Sequence, residues 1–476
     1  MEFKKLLLAT AIVGAFGLAG CNDEDTSVVV EGDTTTNPPP SEPDDGGDGS
    51  AVSSCPEWAS ALPQQAGVDV CRLPSTIMED RTLTADTVWF MDGRVTVGNG
   101  NLEMSATEGM LANDTPVANV VLTIEPGTEI KGDSGTFANL LITRGSMIMA
   151  EGTAEAPIIF SSDDSDYTGS GEWGGLIIQG YGSHNECSDP AVACNVDSEG
   201  EAGFAGGYSP DDNSGVLSYV IVTEGGYEFA VGNEINGVSL VGVGAGTTMD
   251  HIQVNDNADD GIEFFGGEVN VSHLVLTNNL DDSVDWDEGF QGNLQYVLVK
   301  QNPDDGDNGV EADTFGTDAF LSMPVVANAT FIASAPNDTI MTLKEGTGGY
   351  FINTVMAADN VSIATCVKID GAEVEQNIVD GTLAFVNTIA DCPSFGNDTI
   401  AANGTTFQVP AELTASLASG AAEAQLDSPI DWAELQATYS MAPIDMEFLE
   451  PTDFIGAVNP DGSDNWYEGW ILEGTL

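Results

Sequence analysis

Asp250-His251-Ile252-Gln253-Val254, Ser272-His273-Leu274-Val275-Leu276 and Leu294-Gln295-Tyr296-Val297-Leu298 read as one strand written three times at intervals of 22 residues. Side chains alternate across a strand, so Ile252, Leu274 and Tyr296 fall in one column and Val254, Leu276 and Leu298 in a second. His251, His273 and Gln295 fill the outward column between them. A second strand repeats alongside: Asp259-Asp260-Gly261-Ile262-Glu263, then Asp281-Asp282-Ser283-Val284-Asp285 22 residues on, then Asp307-Asn308-Gly309-Val310-Glu311 26 further. A recurring unit of about 22 residues built from strands and turns is the mark of a solenoid. No helical period runs inside it, which disfavours a leucine-rich horseshoe. The expected fold is all-β, a parallel β-helix.

The pattern extends in both directions. Upstream it takes in Val120–Ile124, Leu140–Ile142, Pro157–Phe160, Leu176–Ile178 and Tyr219–Val222; downstream, Thr330–Ile332, Tyr350–Ile352 and Ala384–Val386. A dozen such coils, stacked at about 4.8 Å, predict a rod of roughly 60 Å. Its open ends need covers. The segment Cys55–Cys71, with Trp58, Ala61 and Leu62, is a candidate capping helix for one end. Pro410–Ser419 and Asp431–Ser440 read as short helices near the other, with Asp431 or Ser428 as N-terminal caps. Phe454, Trp466, Tyr467 and Trp470 supply bulk for an aromatic lid.

The N-terminus carries different information. Lys4 and Lys5 precede an apolar run from Leu6 to Leu18, too short for a stable membrane span and fit for a secretion signal. Its end, Leu18-Ala19-Gly20-Cys21, resembles the lipobox of bacterial lipoproteins. That resemblance implies cleavage before Cys21 and attachment of fatty acyl chains such as palmitate, an anchor that needs no transmembrane helix. Residues 1–20 are then a signal peptide. Residues 21–54, rich in Asp, Thr, Pro and Gly, form an acidic tether that cannot bury enough apolar surface to fold. The β-helix with its N-terminal cap is expected over 55–410 and the C-terminal cap over 411–476. The residue after Cys21 is Asn22 rather than an inner-membrane-retaining aspartate, so the outer membrane is the expected address, on its periplasmic or extracellular side.

Composition narrows the partners. With 77 Asp and Glu against 10 Lys and Arg, the chain has a formal charge of −67, which repels nucleic acid and anionic headgroups. Of seven cysteines, Cys21 is assigned to lipid. The remaining six allow 15 pairings, and their clustering favours Cys55–Cys71, Cys187–Cys194 and Cys366–Cys392. Export to an oxidising compartment makes disulfides the expected state.

Several motifs together are familiar. Ala150-Glu151-Gly152-Thr153-Ala154-Glu155-Ala156-Pro157-Ile158-Ile159-Phe160-Ser161-Ser162, Glu172-Trp173-Gly174-Gly175-Leu176-Ile177-Ile178, Gly261-Ile262-Glu263-Phe264-Phe265-Gly266-Gly267, Asp285-Trp286-Asp287, Phe454-Ile455-Gly456-Ala457 and the Trp466–Trp470 stretch resemble a group of bacterial exported β-helix proteins. Its members are lipoproteins or secreted proteins of marine gammaproteobacteria and Bacteroidetes. The resemblance covers nearly all of the chain after Cys55 and implies a right-handed parallel β-helix. It implies no particular chemistry and no catalytic residues.

The acidic columns are the leading site candidate. Glu263, Asp285 and Glu311 stack one coil apart, as do Asp259, Asp281 and Asp307; Asp260 and Asp282 flank them, and Asp287 and Asp313 form a neighbouring column. Like charges this close raise one another's pKa unless something neutralises them, and calcium does so with six to eight oxygen ligands. A solvated acidic face is the plain alternative. An enzyme reading, as a calcium-dependent polysaccharide lyase or a glycoside hydrolase, would take Lys300 as base, in column with Asp256 and Asn278, or two carboxylates at hydrolytic spacing. His251 and His273 read either as outward strand residues or as a two-histidine metal site. Trp173, Tyr181, Phe265, Trp286 and Phe290 are aromatic candidates for stacking on sugar rings, without a firm assignment of binding residues. Function is thus expected in a surface module that binds or helps capture a polysaccharide or nutrient, with an outer-membrane receptor of the TonB-dependent kind as partner, or in a structural, adhesive surface protein.

Cys21→Ala is expected to leave the protein unlipidated and move it from the detergent phase to the aqueous phase in phase separation. Equal partitioning of variant and wild type would refute the lipobox reading.

Overall fold

The computed structural model describes residues 55–476 except 108, 165–168, 229–234, 316–319, 335–338, 360, 364, 393, 397–406, 409–424, 427, 440–444 and 464. The signal, the tether and the expected helix over Pro410–Ser419 lie outside the described residues. The described part belongs to one compact unit, Ser53–Leu476.

Its chain winds through two large parallel sheets as a right-handed parallel β-helix. Ten strands, from Thr76–Ile77 to Thr365–Ile369, form one sheet, each coil adding a rung. Ten rungs span about 43 Å at the usual spacing. Among the described residues the other sheet stacks twelve rungs in one ladder, from Val68–Arg72 to Phe407–Gln408, or about 53 Å, in line with the dozen coils expected. In this sheet Ile262, Val284 and Val310 are in register, giving coils of 22 and then 26 residues. Elsewhere the step is far from regular. Val95 pairs with Leu140, 45 residues on, and Leu176 with Val238, 62 residues on, because long loops leave the coil there.

The other sheet has 17 strands. From Gly215 onward its strands are long, and each bends at one residue in left-handed backbone: Tyr219, His251, His273, Tyr296, Asn328, Asn353 and Asn387, with φ between 49° and 61°. These residues drop out of the pairing register, which resumes on either side. Left-handed backbone is costly for residues other than glycine and asparagine. Stacking offsets the cost for the rings: Tyr219 on His251 at 4.3 Å, His251 on His273 at 4.3 Å and His273 on Tyr296 at 4.8 Å. The register corrects two expectations. One extra residue in the third coil pairs Leu274 with Val297 rather than Tyr296 and places Lys300 opposite Thr277 rather than beside Asn278. Tyr296 therefore leaves the core column and joins the ring stack.

Between the sheets lies a continuous apolar core that includes Trp89, Phe160, Trp173, Phe264, Trp286, Phe290, Phe331 and Phe351. Trp173, Trp286 and Phe290 are fully buried, so they are core residues and not sugar platforms. All three expected disulfides are formed: Cys55–Cys71, Cys187–Cys194 and Cys366–Cys392.

The N-terminal cover is a hairpin rather than a helix. Strands Ser60–Gln65 and Val68–Arg72 pair antiparallel, turned by Ala66 and Gly67, both at positive φ, the backbone a two-residue hairpin turn demands. Pro63 also opposes a helix through this segment. Trp58 stacks on Trp89 at 5.3 Å. Near the last rungs a helix over Ala372–Asp380 buries Val374 and Ile378 and stops at Gly381 in left-handed backbone. The helix Trp432–Tyr439 forms where expected, and Asp431 caps it by accepting from the Glu434 N–H at 3.0 Å.

The C-terminal aromatic segment does not lie across the end of the rod. It runs back along the flank, over the left-handed column. Gln295 grips the Glu450 backbone from both sides, accepting at 2.8 Å and donating at 2.9 Å. Asn328 donates to the carbonyls of Phe454 and Gly456, and Gln253 accepts from the Leu472 N–H at 2.8 Å. Trp466 and Trp470 meet the stacked rings edge-on, and Trp470 is buried with Ile221 and Val275.

Trp470→Ala is expected to cost about 3 kcal/mol in urea unfolding, as for a large buried aromatic. Amide exchange should quicken at Ile221 and Val275. Exchange unchanged in these central rungs would mean the segment is only an end cover.

Candidate metal centre

Alternation places one column of the ten-stranded sheet outward: Leu141, Ile177, Ser239, Glu263, Asp285, Glu311, Thr342 and Lys368. Thr76 and Thr96 precede them in register, and Leu141 and Ile177 are apolar because Ala202 and Ile235 cover them. Ala202 sits in the turn of a hairpin, Val196–Ser198 with Gly203–Ala205. Beyond this cover the column becomes acidic. A parallel outward column runs through Phe265 and Asp287, continued by Asp313, whose N–H bonds the Trp286 carbonyl at 2.9 Å.

A third set lies on the turn before each strand. The Asp282 N–H donates to Asp260 Oδ1 at 2.9 Å, and the Asn308 N–H donates to Asp282 Oδ1 at 2.7 Å. One oxygen of each aspartate thus holds the next rung. In-register stacking brings the carboxylates together in four groups whose ligand atoms lie within 4.8 Å of one another: Asp259, Asp260 and Asp281; Asp260, Glu263 and Asp285; Asp281, Asp282 and Asp307; Asp282, Asp285 and Glu311. Eight of the ten acidic residues singled out in the sequence fall in these groups. The other two, Asp287 and Asp313, lie one column away.

Asp285 belongs to two of the groups. Its Oδ1 is shielded from solvent and has no hydrogen-bond partner, and the same holds for Asp287 Oδ1. Glu263 accepts from Asn236 Nδ2, which also donates to Glu199 at 2.8 Å.

The electrostatics follow from this crowding. Burial, then the charges of Asp285 and Asp282, raises Asp260 well above the usual carboxylate range. Burial with Glu199 and Asp285 does so for Glu263, and burial with Asp285 and Glu311 for Asp282. Asp285 is raised by burial, Glu311 and Asp313 against the pull of Lys344. Asp287 is raised by burial, Glu288 and Asp313. Asp313 is pushed up to about 6, chiefly by burial.

The cation beside these columns is Lys344, which the sequence reading passed over in favour of Lys300. It follows the strand Thr339–Leu343, and its Nζ lies 2.8 Å from Glu311 and 3.8 Å from Asp313. Burial works against its charge, but the bond to Glu311 and the fields of Asp313 and Asp285 hold its pKa above the usual lysine value. Lys344 neutralises one end of the ladder. Oxygens at these separations suit a divalent ion such as calcium, whose ligands sit 2.3–2.6 Å away.

The histidines behave differently. Asp250 bonds His251 Nδ1 at 2.7 Å and His273 Nδ1 at 2.8 Å. Burial opposes its charge, but these bonds hold its carboxyl below the ordinary range. The two rings are stacked at 16°, whereas an imidazole binds metal in its own plane at about 2.0–2.1 Å. Asp250, His251 and His273 do place ligand atoms within 4.8 Å of one another, but planes so nearly parallel intersect only far outside bonding distance, so the stack disfavours in-plane coordination of one ion by both rings.

Each raised carboxyl holds its proton more tightly folded than unfolded, so stability falls as pH rises through that window. A shift of one unit is about 1.4 kcal/mol. Without divalent ions, Asp313→Asn should therefore gain on the wild type by up to roughly 3 kcal/mol between about pH 4 and pH 7. Urea unfolding in chelator at several pH values measures it, and a pH-independent difference would contradict the buried-charge account.

No curated protein and no solved structure matches the chain significantly. A family of pectate-lyase-like beta helix domains matches residues 76–437, about three quarters of the sequence, including every rung of the acidic columns. The chain belongs to that pectate-lyase-like β-helix domain family.

Proposed function

We propose that the protein is a lipid-anchored, surface-exposed module that binds polysaccharide, with calcium held in the acidic columns of its ten-stranded sheet. The observation carrying this reading is Asp285: a shielded carboxylate oxygen without a partner, shared between two groups of carboxylates. Eight crowded acids can be relieved by protons or by a cation, and a cation relieves several at once. A pectate-lyase-like β-helix is compatible with a polysaccharide-related role. An acidic polysaccharide meets repulsion from a bare acidic face, and bound calcium reverses that sign.

The anchor is Cys21 with its acyl chains, at the outer membrane. A TonB-dependent receptor is the partner class we favour, receiving glycan or nutrient captured on the rod.

Lys344 favours a second reading, a calcium-dependent lyase. It is an amine beside carboxylates that calcium would occupy, and a bound ion would remove the fields that now hold its proton. In that reading Lys344 abstracts the proton next to a uronate carboxyl, and the electron pair forms the double bond as the β-placed glycosidic oxygen leaves and takes up a proton.

Millimolar calcium should raise the melting temperature, growing as RT ln(1 + [L]/Kd), about 2.7 kcal/mol at a hundredfold excess over Kd. Sodium at matched ionic strength controls for screening, and Asp285→Asn should lose most of the response. A rise that sodium reproduces in full removes the calcium assignment. A polysaccharide panel, scored for binding and for unsaturated product, separates the two functions. Calcium-dependent binding without product supports the binder. Product that disappears in Lys344→Ala establishes the lyase.

A further inference from the structure

The two long loops that leave the coils meet each other. One follows Val95–Val97 and the other follows Leu176–Gln179 and carries the Cys187–Cys194 disulfide. Arg144 pins them together. Its Nε donates to the Gly100 carbonyl at 2.8 Å and Nη2 to that of Leu102 at 3.1 Å. Nη1 donates to Cys194 at 2.8 Å, Gly206 at 3.1 Å and Ala205 at 3.2 Å. Among the described residues Arg144 is the one fully buried lysine or arginine. Among the described residues all of its acceptors are neutral and no carboxylate pairs with it. Buried charges are ordinarily paired.

Beside this guanidinium is a cavity of about 310 Å³, at the small end of the range for ligand pockets. Tyr181, which lies over the Arg144 guanidinium at 6.0 Å, and Tyr208 are among its walls, with Met104 and Pro190. Ser105, Thr107 and Ser209 bring hydroxyls to it. None of its described lining residues is acidic. Three other cavities each include Asp or Glu in their walls: Asp431 and Glu434 in one, Asp211, Glu268 and Asp445 in the next, Asp250, Asp445 and Glu447 in the third. In a chain of charge −67, Arg144 sets a buried positive charge beside this pocket, and the nearest described carboxylates, Asp189 toward Tyr208 and Asp212 at the Tyr181 backbone, lie behind its walls.

We propose that this pocket binds a single ring bearing one carboxylate, a sugar acid. The size admits one ring, the tyrosines and Met104 suit its C–H faces, and the hydroxyls suit its polar edge. Arg144 gives the carboxylate a field rather than a hydrogen bond, because carbonyls already take its N–H groups. The site is separate from the acidic columns and needs no metal.

Protein kept in chelator, so that no divalent ion bridges anything, is titrated with glucuronate and, in parallel, with glucose. Ligand-observed NMR and calorimetry read binding. Saturable glucuronate binding, at least about tenfold tighter than glucose and weakened by added salt, is the expected result. Ala106→Trp, at an exposed position on the mouth, should abolish it while leaving the unliganded melting temperature unchanged. Arg144→Met tests the field directly, with the melting temperature reporting whether the loops still close. Glucose binding as tightly as glucuronate, glucuronate binding that survives Ala106→Trp, or no saturation by glucuronate would each overturn the proposal.

Discussion

Parallel stacking at one rung per coil makes every side chain meet a copy of its own position about 4.8 Å away. That constraint decides which residue types each column accepts. Apolar columns profit, since Ile252, Leu274 and Val297 bury one another continuously. Rings profit too, and the Tyr219–His251–His273–Tyr296 stack sustains backbone that these residues otherwise avoid. Below it Asn328, Asn353 and Asn387 take over the same corner, a type that, glycine aside, tolerates left-handed backbone best. Carboxylates are the exception. A column of Glu263, Asp285 and Glu311 repels itself at every rung, and Lys344 answers that repulsion only at one end.

The same rod divides its outer surface by what covers it. The hairpin of Val196–Ala205 shields Leu141 and Ile177, and the returning C-terminal segment shields Ile221 and Val275. Amide side chains hold that segment because a Gln or Asn offers donor and acceptor together, as a strand edge does. Gln253, Gln295 and Asn328 thus continue sheet-like bonding sideways. The acidic columns have no apolar cover of this kind; their carboxylates are shielded by one another and by Asn236 and Glu199.

Much of this was legible. The 22-residue period in Asp250–Leu298 gave the coils, the strand parity and the acidic columns, since a period-2 strand fixes which residues share a face. The same parity places Trp286 inside, flanked by the outward Asp285 and Asp287, so treating it as a sugar platform missed a usable signal. The register slip at Tyr296 was not readable, because one inserted residue leaves the apolar spacing locally intact. Lys344 was hidden by a coil step of 31 residues from Val310 to Met341. The direction of the C-terminal segment depends on Gln253, Gln295 and Asn328, and bonds between positions so distant in sequence leave no local pattern.

Arg72, Arg81, Lys344 and Lys368 each meet a carboxylate, but the two most buried charge centres of this molecule are segregated rather than paired. Arg144 sits among neutral carbonyls at one end of the sheet-edge loops, and the crowded carboxylates sit rungs away. Pairing them would have satisfied both and left neither able to act on a ligand, since a neutralised pair exerts little field beyond itself. Folding tolerates the separation because each group has a local remedy: a carbonyl cage for the guanidinium, backbone N–H donors for Asp260 and Asp282, and Lys344 for Glu311. What the local remedies leave over is the positive field beside the pocket and the shielded oxygens of Asp285 and Asp287. Those two residues of charge, opposite in sign and apart in space, are where counter-charge from outside has most to gain.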